Sequence, residues 1–169
     1  HQWVLPLSPA DAKPFRLTDA SPYDMQAQIS PDGHWVAYAS ARTGRMEIFV
    51  QAFPAGQAFQ QVSTTGGLTP RWRADGKELF YMTRYDHAQV MAVGIDTSGG
   101  TLVPGVPQEL FDVDLAIVPH STAVQNFHTY DVSPDGQQFL IPLPVGALRG
   151  ESTSTAITVV LDWTAALHE

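Results

Sequence analysis

The fold is decided by the stretch Ala27-Gln28-Ile29-Ser30-Pro31-Asp32-Gly33-His34-Trp35-Val36-Ala37-Tyr38, whose pattern returns twice along the chain. The second copy is Pro70-Arg71-Trp72-Arg73-Ala74-Asp75-Gly76-Lys77-Glu78-Leu79-Phe80-Tyr81, and the third is Tyr130-Asp131-Val132-Ser133-Pro134-Asp135-Gly136-Gln137-Gln138-Phe139-Leu140-Ile141. In each copy an Asp-Gly turn separates two segments with strand-like composition. The first two copies lie 43 residues apart and the last two lie 60 apart. A period of about 40 to 45 residues is typical of a four-stranded β-propeller blade.

The Asp-Gly dipeptides are interpreted as hairpin turns rather than as metal ligands or catalytic acids. Proline presets φ at the second turn position, and glycine accepts the left-handed conformation from which the next strand leaves. Ser30 and Ser133 stand at the first turn position, where a hydroxyl can bond to the backbone. The second copy departs from this pattern, because Arg73 and Ala74 replace serine and proline.

The strands that follow each turn predict an all-β chain of four-stranded antiparallel propeller blades in a single domain, residues 1–169. Two complete blades are predicted at 26–64 and 69–111, a half blade at 1–18 and a three-strand blade at 127–163. A propeller closes with about four blades or more. We therefore expect either the C-terminal part of a longer propeller or a homodimer whose unfinished end blades complete a roughly six-bladed ring.

The composition excludes several classes of protein. Hydrophobic residues make up 44% of the chain and charged residues 15%, with 13 glycines and 13 prolines, which favours short strands and turns over disorder or long helices. The net charge of −8 disfavours nucleic acid and anionic membranes as partners. With no cysteine, the chain has no disulfide, thiolate metal site or cysteine nucleophile. It also has no apolar run of about 20 residues and no signal-peptide pattern at His1-Gln2-Trp3, so we expect no membrane insertion.

The Ser-Pro-Asp-Gly turn, the strand Trp35–Ser40 and the segment Glu47-Ile48-Phe49-Val50 resemble the TolB-like or WD40-like (PD40) repeats of bacterial propellers. The resemblance extends from Trp3 to Trp163 and suits a C-terminal propeller segment. In such proteins the propeller follows a kinase, a winged-helix regulator or a peptidase domain. The resemblance implies an interaction or sensing module, often extracytoplasmic, and carries over no catalytic residue. It favours a periplasmic or extracytoplasmic location over a cytoplasmic one.

The sequence offers no recognisable catalytic or metal-binding pattern. The histidines form no His-x-x-x-His or Glu-x-x-His pair, so we expect no metal. No Gly-x-Ser-x-Gly motif is present, and no helix follows Gly66-Gly67 or Gly99-Gly100 to cradle a phosphate. We therefore expect neither an enzyme nor a cofactor.

The first candidate binding site is the inner-strand column, defined as Gln28, Arg71 and Asp131, which stand at the same position of the three repeats. Alternation along a strand predicts that these polar residues face an axial channel. On the same argument, Ile29, Trp72 and Val132 pack between blades. Arg71 and Asp131 then either pair with each other or hold a polar ligand.

The second candidate site is one face of the propeller, where loops from second to third strands and from fourth to first strands gather. The long connection 112–126 belongs to this face, and long loops are commonly functional. Tyr and Arg often dominate the energy of interfaces. The candidate residues of this loop face are Tyr23, Asp24, Arg42, Arg45, Arg84, Tyr85, Asp86, His87 and His120.

The sequence thus predicts a non-catalytic binding or assembly module for a protein, peptide or saccharide. The alternative is the non-catalytic propeller portion of a larger enzyme, such as a serine peptidase or a receptor-type kinase.

Overall fold

The computed structural model of the protein describes residues 2–9, 12–18, 21–54, 56, 58–83, 87–114, 130–141 and 158–161, with the backbone alone at 87, 114 and 158–161. These residues form β-strands, turns and loops, and they contain no helix. None of them therefore belongs to a helix that could span a bilayer. All strand pairs are antiparallel, which confirms the predicted all-β class.

The first two sheets contain six strands. The leading sheet pairs β1 (Trp3–Val4) with β2 (Phe15–Arg16). The first complete blade follows and has the order β3-β4-β5-β6. Its strands are β3 (Met25–Ile29), β4 (Trp35–Ser40), β5 (Glu47–Ala52) and β6 (Phe59–Gln61). Successive strands in the chain are neighbours in this sheet, as in a propeller blade.

The second complete blade contains β7 (Leu68–Trp72), β8 (Glu78–Met82), β9 (His87–Asp96) and β11 (Gln108–Asp114). A short extra strand, β10 (Val103–Pro104), pairs with the C-terminal end of β9. The third blade has the order β12-β13-β14, with β12 (Asp131–Val132), β13 (Gln138–Ile141) and β14 (Thr158–Leu161). The described sheets do not close into a ring.

The leading sheet corresponds to the third and fourth strands of a blade. The amide of Gln2 donates to Thr18 Oγ1 (3.2 Å), and the amide of Ile48 donates to Ser63 Oγ (2.7 Å). The amide of Leu17 donates to the carbonyl of Gln2, just as the amide of Val62 donates to that of Ile48. Gln2 therefore matches Ile48, so β1 matches β5 and β2 matches β6.

Two apolar layers hold the blades together. Between the first and second blades, Ala37, Ala39, Ile48 and Val50 pack against the face of the second blade that carries Leu79, Tyr81 and Val93. Between the second and third blades, Phe80 meets Phe139 edge to face, with ring centroids 5.1 Å apart. Burying one such side chain contributes about 1.5–3 kcal/mol. The period-two alternation of each strand makes this possible, because one face of a blade meets the preceding blade and the other face meets the following one.

The two serine turns have the expected geometry. Ser30 Oγ donates to Asp32 and accepts the amide of Trp35 (2.9 Å). Ser133 repeats both bonds with Asp135 and the amide of Gln138. The serine hydroxyl bonds lower the pKa of the carboxyl groups of Asp32 and Asp135. These aspartates are framework residues, as their position in the turn predicts.

Arg73 replaces the serine bonds with ion pairs. It donates to both carboxylate oxygens of Asp75, at 2.8 and 2.9 Å, and to Glu78 Oε2 at 2.8 Å. The bond from Arg73 lowers the pKa of Asp75 to about 2. The departure from the repeat is thus compensated within the same turn.

Arg73 also connects its turn to the next one. The amide of Ala74 donates to the carbonyl of Pro134 (3.1 Å). A Cβ atom built on Gly136 would lie 2.9 Å from Arg73 Cδ and 3.0 Å from Phe80 Cζ. Only glycine at position 136 leaves room for the side chain of Arg73.

Candidate functional site

The inner strands β3 and β7 carry the same irregularity. The register shifts between Met25 and Gln28 in β3 and between Leu68 and Arg71 in β7. Gln26 and Thr69, at corresponding positions inside the shift, have φ of 57° and 51°. A β-bulge of this kind re-aims the residues that follow it. The repeated bulge therefore presents Gln28 and Arg71 in equivalent ways.

Side chains of β3 bond to the backbone of β7. Gln26 Oε1 accepts the amide of Thr69 (2.8 Å), and Gln28 Oε1 accepts the amide of Trp72 (2.8 Å). The indole Nε1 of Trp72 donates in turn to the carbonyl of Gln28 (3.2 Å). Backbone amides at the edge of β7 thus find their hydrogen-bond acceptors in side chains of the preceding blade rather than in a neighbouring strand.

Arg71 makes the corresponding connection to the third blade. Its Nε donates to the carbonyl of Tyr130 (3.2 Å) and lies 3.7 Å from Asp131 Oδ1. The structure therefore brings Arg71 and Asp131 together, as one of the two alternatives for the inner-strand column predicts. The pair is loose, because Asp131 is 72% exposed and its Oδ1 also accepts the amide of Val132 (3.0 Å).

The terminal nitrogens of Arg71, Nη1 and Nη2, have no protein partner in the described part of the chain, although the side chain is only 14% exposed. Each of the other arginines near the blade ends uses at least one of its terminal nitrogens. Arg42 Nη2 donates to Tyr38 Oη (2.6 Å), Arg45 Nη2 contacts Glu47 Oε1 (2.6 Å), and Arg73 bonds to two carboxylates. Among these arginines, Arg71 is therefore the one whose two terminal nitrogens are both available to a ligand.

The expectation that Ile29 packs between blades is wrong. Ile29 is 48% exposed, whereas Trp72, at the same repeat position, is 6% exposed. Trp72 packs against the first blade and bonds to Gln28. The leading sheet provides only β1 and β2, which match third and fourth strands, so no described inner strand lies opposite Ile29. Val132, in contrast, packs against the second apolar layer.

On the loop face, the exposed side chain of Arg45 contacts a polar cluster whose carboxylate, that of Glu47, is buried. Its Nε donates to Glu47 Oε1 (2.6 Å) and its Nη2 donates to the carbonyl of Thr64. Glu47 is 1% exposed and also accepts from Ser63 Oγ and from the amide of Gly66. These contacts place the loop 41–46 beside the loop 62–67, as the predicted loop face requires. They also engage the Nε and Nη2 groups of Arg45 in hydrogen bonds within the blade.

Arg42 covers aromatic rings of the first blade. Its guanidinium carbon lies 3.9 Å from the ring centroid of Phe59 and 4.7 Å from that of Phe49. Its Nη2 donates to Tyr38 Oη, which in turn donates to Gln51. Cation–π contacts of this type contribute about 0.5–2 kcal/mol. Arg42 is therefore held against the blade rather than presented to solvent as a free side chain.

The remaining candidates of the loop face are dispersed. Tyr23 is exposed, whereas Asp24 is buried and accepts the amide of Ser21 through Oδ2 (3.4 Å). Arg84, Tyr85, Asp86 and His120 lie outside the described residues, and the long connection 112–126 is described only at 112–114. His87 begins β9, and its side chain is likewise outside the description.

Sequence reasoning missed the buried polar residues. Glu47 interrupts an apolar run at the start of β5, which is the signal that could have identified it. Four buried atoms have no hydrogen-bond partner within the described residues: Asp24 Oδ1, Thr69 Oγ1, Tyr81 Oη and Tyr130 Oη. Burial raises the pKa of Tyr81 and Tyr130, so both hydroxyls stay protonated. The described part holds no group of three or more side chains suited to a metal.

Comparison with known proteins supports the fold. No protein-family model matches the sequence, and no curated protein matches it. A protein assigned as TolB from Agrobacterium tumefaciens matches with a TM-score of 0.52 and 22% identity, over 73% of this chain and 43% of that one. A puromycin-hydrolysing peptidase from Mycobacterium tuberculosis matches with a TM-score of 0.50 and 15% identity, over 76% of this chain and 20% of that one. The chain thus spans less than half the length of either neighbour, and at these identities it is similar to them in fold alone: a TolB-like β-propeller fold.

Proposed function

We propose that this chain is a non-catalytic binding or assembly module whose ligand reaches the inner-strand column. The observation that carries the proposal is the guanidinium of Arg71, mostly buried, anchored through Nε and without a protein partner for Nη1 and Nη2 in the described residues. A guanidinium with both terminal nitrogens available forms charge-assisted hydrogen bonds with a ligand that supplies acceptors. The ligand classes we consider are protein, peptide and saccharide.

Three described serines that could act as nucleophiles bond within the framework instead. Ser30 and Ser133 bond within their turns, and Ser63 bonds to Glu47 and to the amide of Ile48. A serine nucleophile needs a base oriented toward its hydroxyl. Among the described contacts, the carboxylate beside Ser63 is instead neutralised by Arg45.

Selection of ligands tests the proposal directly. Phage-displayed random peptides and a glycan array are screened against the folded chain, and selected ligands are then measured by titration calorimetry. We expect saturable one-to-one binding that weakens about tenfold or more in Arg71→Met, since a charge-assisted hydrogen bond contributes about 1.5–3 kcal/mol. The unfolding temperature should change little. Turnover of ester or peptide substrates by the purified chain would contradict the proposal, as would the absence of any saturable ligand.

A second candidate function is the non-catalytic propeller of a larger enzyme, such as a serine peptidase or a receptor-type kinase. The fold similarity to a peptidase chain, of which the match covers only 20%, favours this candidate. The sequence of the parent open reading frame decides it. A hydrolase or kinase domain encoded beside the propeller supports this candidate, and an open reading frame without one excludes it.

A further inference from the structure

We infer that the inner-strand column binds a single carboxylate group, received by Nη1 and Nη2 of Arg71 and flanked by the amide of Gln28. This inference rests on the proposed function, because it names the ligand chemistry of the same site. It goes further than the proposed function because it specifies an anionic ligand group. It also specifies a group with two coplanar oxygens rather than a spherical anion.

The first argument is the way in which Arg71 is held. Its Nε donates to the carbonyl of Tyr130 at 3.2 Å, and this bond restricts the orientation of the guanidinium plane. A guanidinium offers parallel N–H donors that match a carboxylate in a bidentate pair. Since Nε is already used, the remaining pair is Nη1 and Nη2, which find no acceptor among the described residues.

The second argument is the orientation of Gln28, the preceding member of the column. Its Oε1 accepts the amide of Trp72 at 2.8 Å, so the oxygen is fixed and Nε2 is the end that remains. Trp72 follows Arg71 directly in β7, so the side-chain amide of Gln28 lies beside the backbone of Arg71. Nε2 has no partner among the described residues, and it can only donate hydrogen bonds. Both remaining polar ends are thus hydrogen-bond donors, which match an acceptor on a ligand.

The third argument concerns Asp131, the carboxylate already present. At 3.7 Å from Arg71 Nε it lies beyond hydrogen-bond distance, and its own Oδ1 accepts the amide of Val132. Being 72% exposed, it is well solvated and compensates Arg71 only weakly. It also adds one negative charge beside the site, which favours a ligand with one carboxylate over one with two.

A carboxylate can come from a free small acid or from the C terminus of a peptide, and the experiment separates these sources. Binding to the full chain is measured by calorimetry and by the Arg71 Nε–Hε NMR signal. The probes are acetate, N-acetyl-trialanine with a free C terminus, and the same peptide as its C-terminal amide. We expect the free acid to bind at least tenfold more tightly than the amide. Acetate binding as tightly as the acid assigns the site to free small acids, and weaker acetate binding assigns it to a peptide terminus.

Variants complete the test. Arg71→Met should reduce binding of the free acid at least tenfold, whereas the matched control Arg16→Met, which removes an exposed arginine, should not. Asp131→Asn should tighten binding several-fold, because a competing carboxylate is removed. If Arg71→Met does not fold, Arg71→Lys keeps the charge but not the bidentate geometry, and it should still lose severalfold in affinity.

Equal binding of the acid and the amide, or unchanged binding in a folded Arg71 variant, overturns the carboxylate site. The proposed function fails differently, through the absence of any selected peptide or glycan ligand. A selected ligand that binds irrespective of carboxylates would leave the module a binding module and remove this inference alone.

Discussion

Alanine at Gly136 should destabilise the protein more than alanine at Gly33, although both glycines occupy the same turn position. Their φ angles are 78° and 73°. An alanine forced into this left-handed region costs about 1–2 kcal/mol at either site. At Gly33 nothing lies within 4 Å of the added methyl group, so this backbone strain is the whole effect.

At Gly136 the methyl group also meets the preceding blade. It would lie 2.9 Å from Arg73 Cδ and 3.0 Å from Phe80 Cζ. Phe80 is fully buried and packs edge to face on Phe139, so its ring has little room to move. Overpacking of this kind costs about 1–3 kcal/mol. We therefore expect Gly136→Ala to be less stable than Gly33→Ala by about that amount.

Urea denaturation followed by circular dichroism measures the difference. Gly136→Ala should lower the midpoint more than Gly33→Ala, with the m-value unchanged in both. Adding Arg73→Ala to each variant should recover part of the excess cost at Gly136 and none at Gly33. Equal midpoints for the two glycine variants would refute the contact between the turns as a source of stability.

Three further predictions concern buried and ionised groups. Tyr130→Phe should leave the unfolding temperature unchanged or raise it, because the hydroxyl is buried without a partner in the described structure. The exposed Tyr23→Phe is the control, and a clear fall in the unfolding temperature of Tyr130→Phe alone would contradict this prediction. Glu47→Gln should destabilise by about 1–3 kcal/mol in urea, since it weakens the hydrogen bonds that the buried carboxylate accepts from Arg45 and Ser63, whereas the exposed Glu109→Gln should change little. The pKa of Asp75 is lowered from 3.8 to about 2, so its contribution to stability is complete above pH 4 and is lost as the pH falls through 2. Acid titration of unfolding should show a smaller loss over that window in Arg73→Ala, and an unchanged profile would contradict the pair.

The features that the sequence predicts well are local or repeated. The turns at Asp32 and Asp135 depend on residues within one hairpin, so their geometry follows from turn chemistry alone. The alignment of Gln28, Arg71 and Asp131 in one column follows from the repeat, because equivalent strands occupy equivalent positions. The pairing of Arg71 with Asp131 required only this alignment and the signs of the two charges.

The features that escaped prediction depend on contacts between distant segments. Arginine is a residue type common in interfaces, yet Arg42 packs on the ring of Phe59 and Arg45 donates a hydrogen bond to Glu47. The burial of Glu47 requires Ser63 and the amide of Gly66, which a linear pattern does not place beside it. The exposure of Ile29 depends on which strands precede the first complete blade. Alternation specifies the face of a residue but not what covers that face.

The side chains of the inner-strand column reach forward along the chain, although the indole of Trp72 also donates back to the carbonyl of Gln28. At both steps the side chain of the earlier blade reaches the backbone of the later one: Gln28 to Trp72, and Arg71 to Tyr130. Synthesis on the ribosome delivers the blades in this same order. Each blade that has already folded therefore exposes a polar side chain ready to receive the next inner strand as it emerges. We therefore expect the described blades to assemble in order from the N-terminal side, each new inner strand docking on the blade before it.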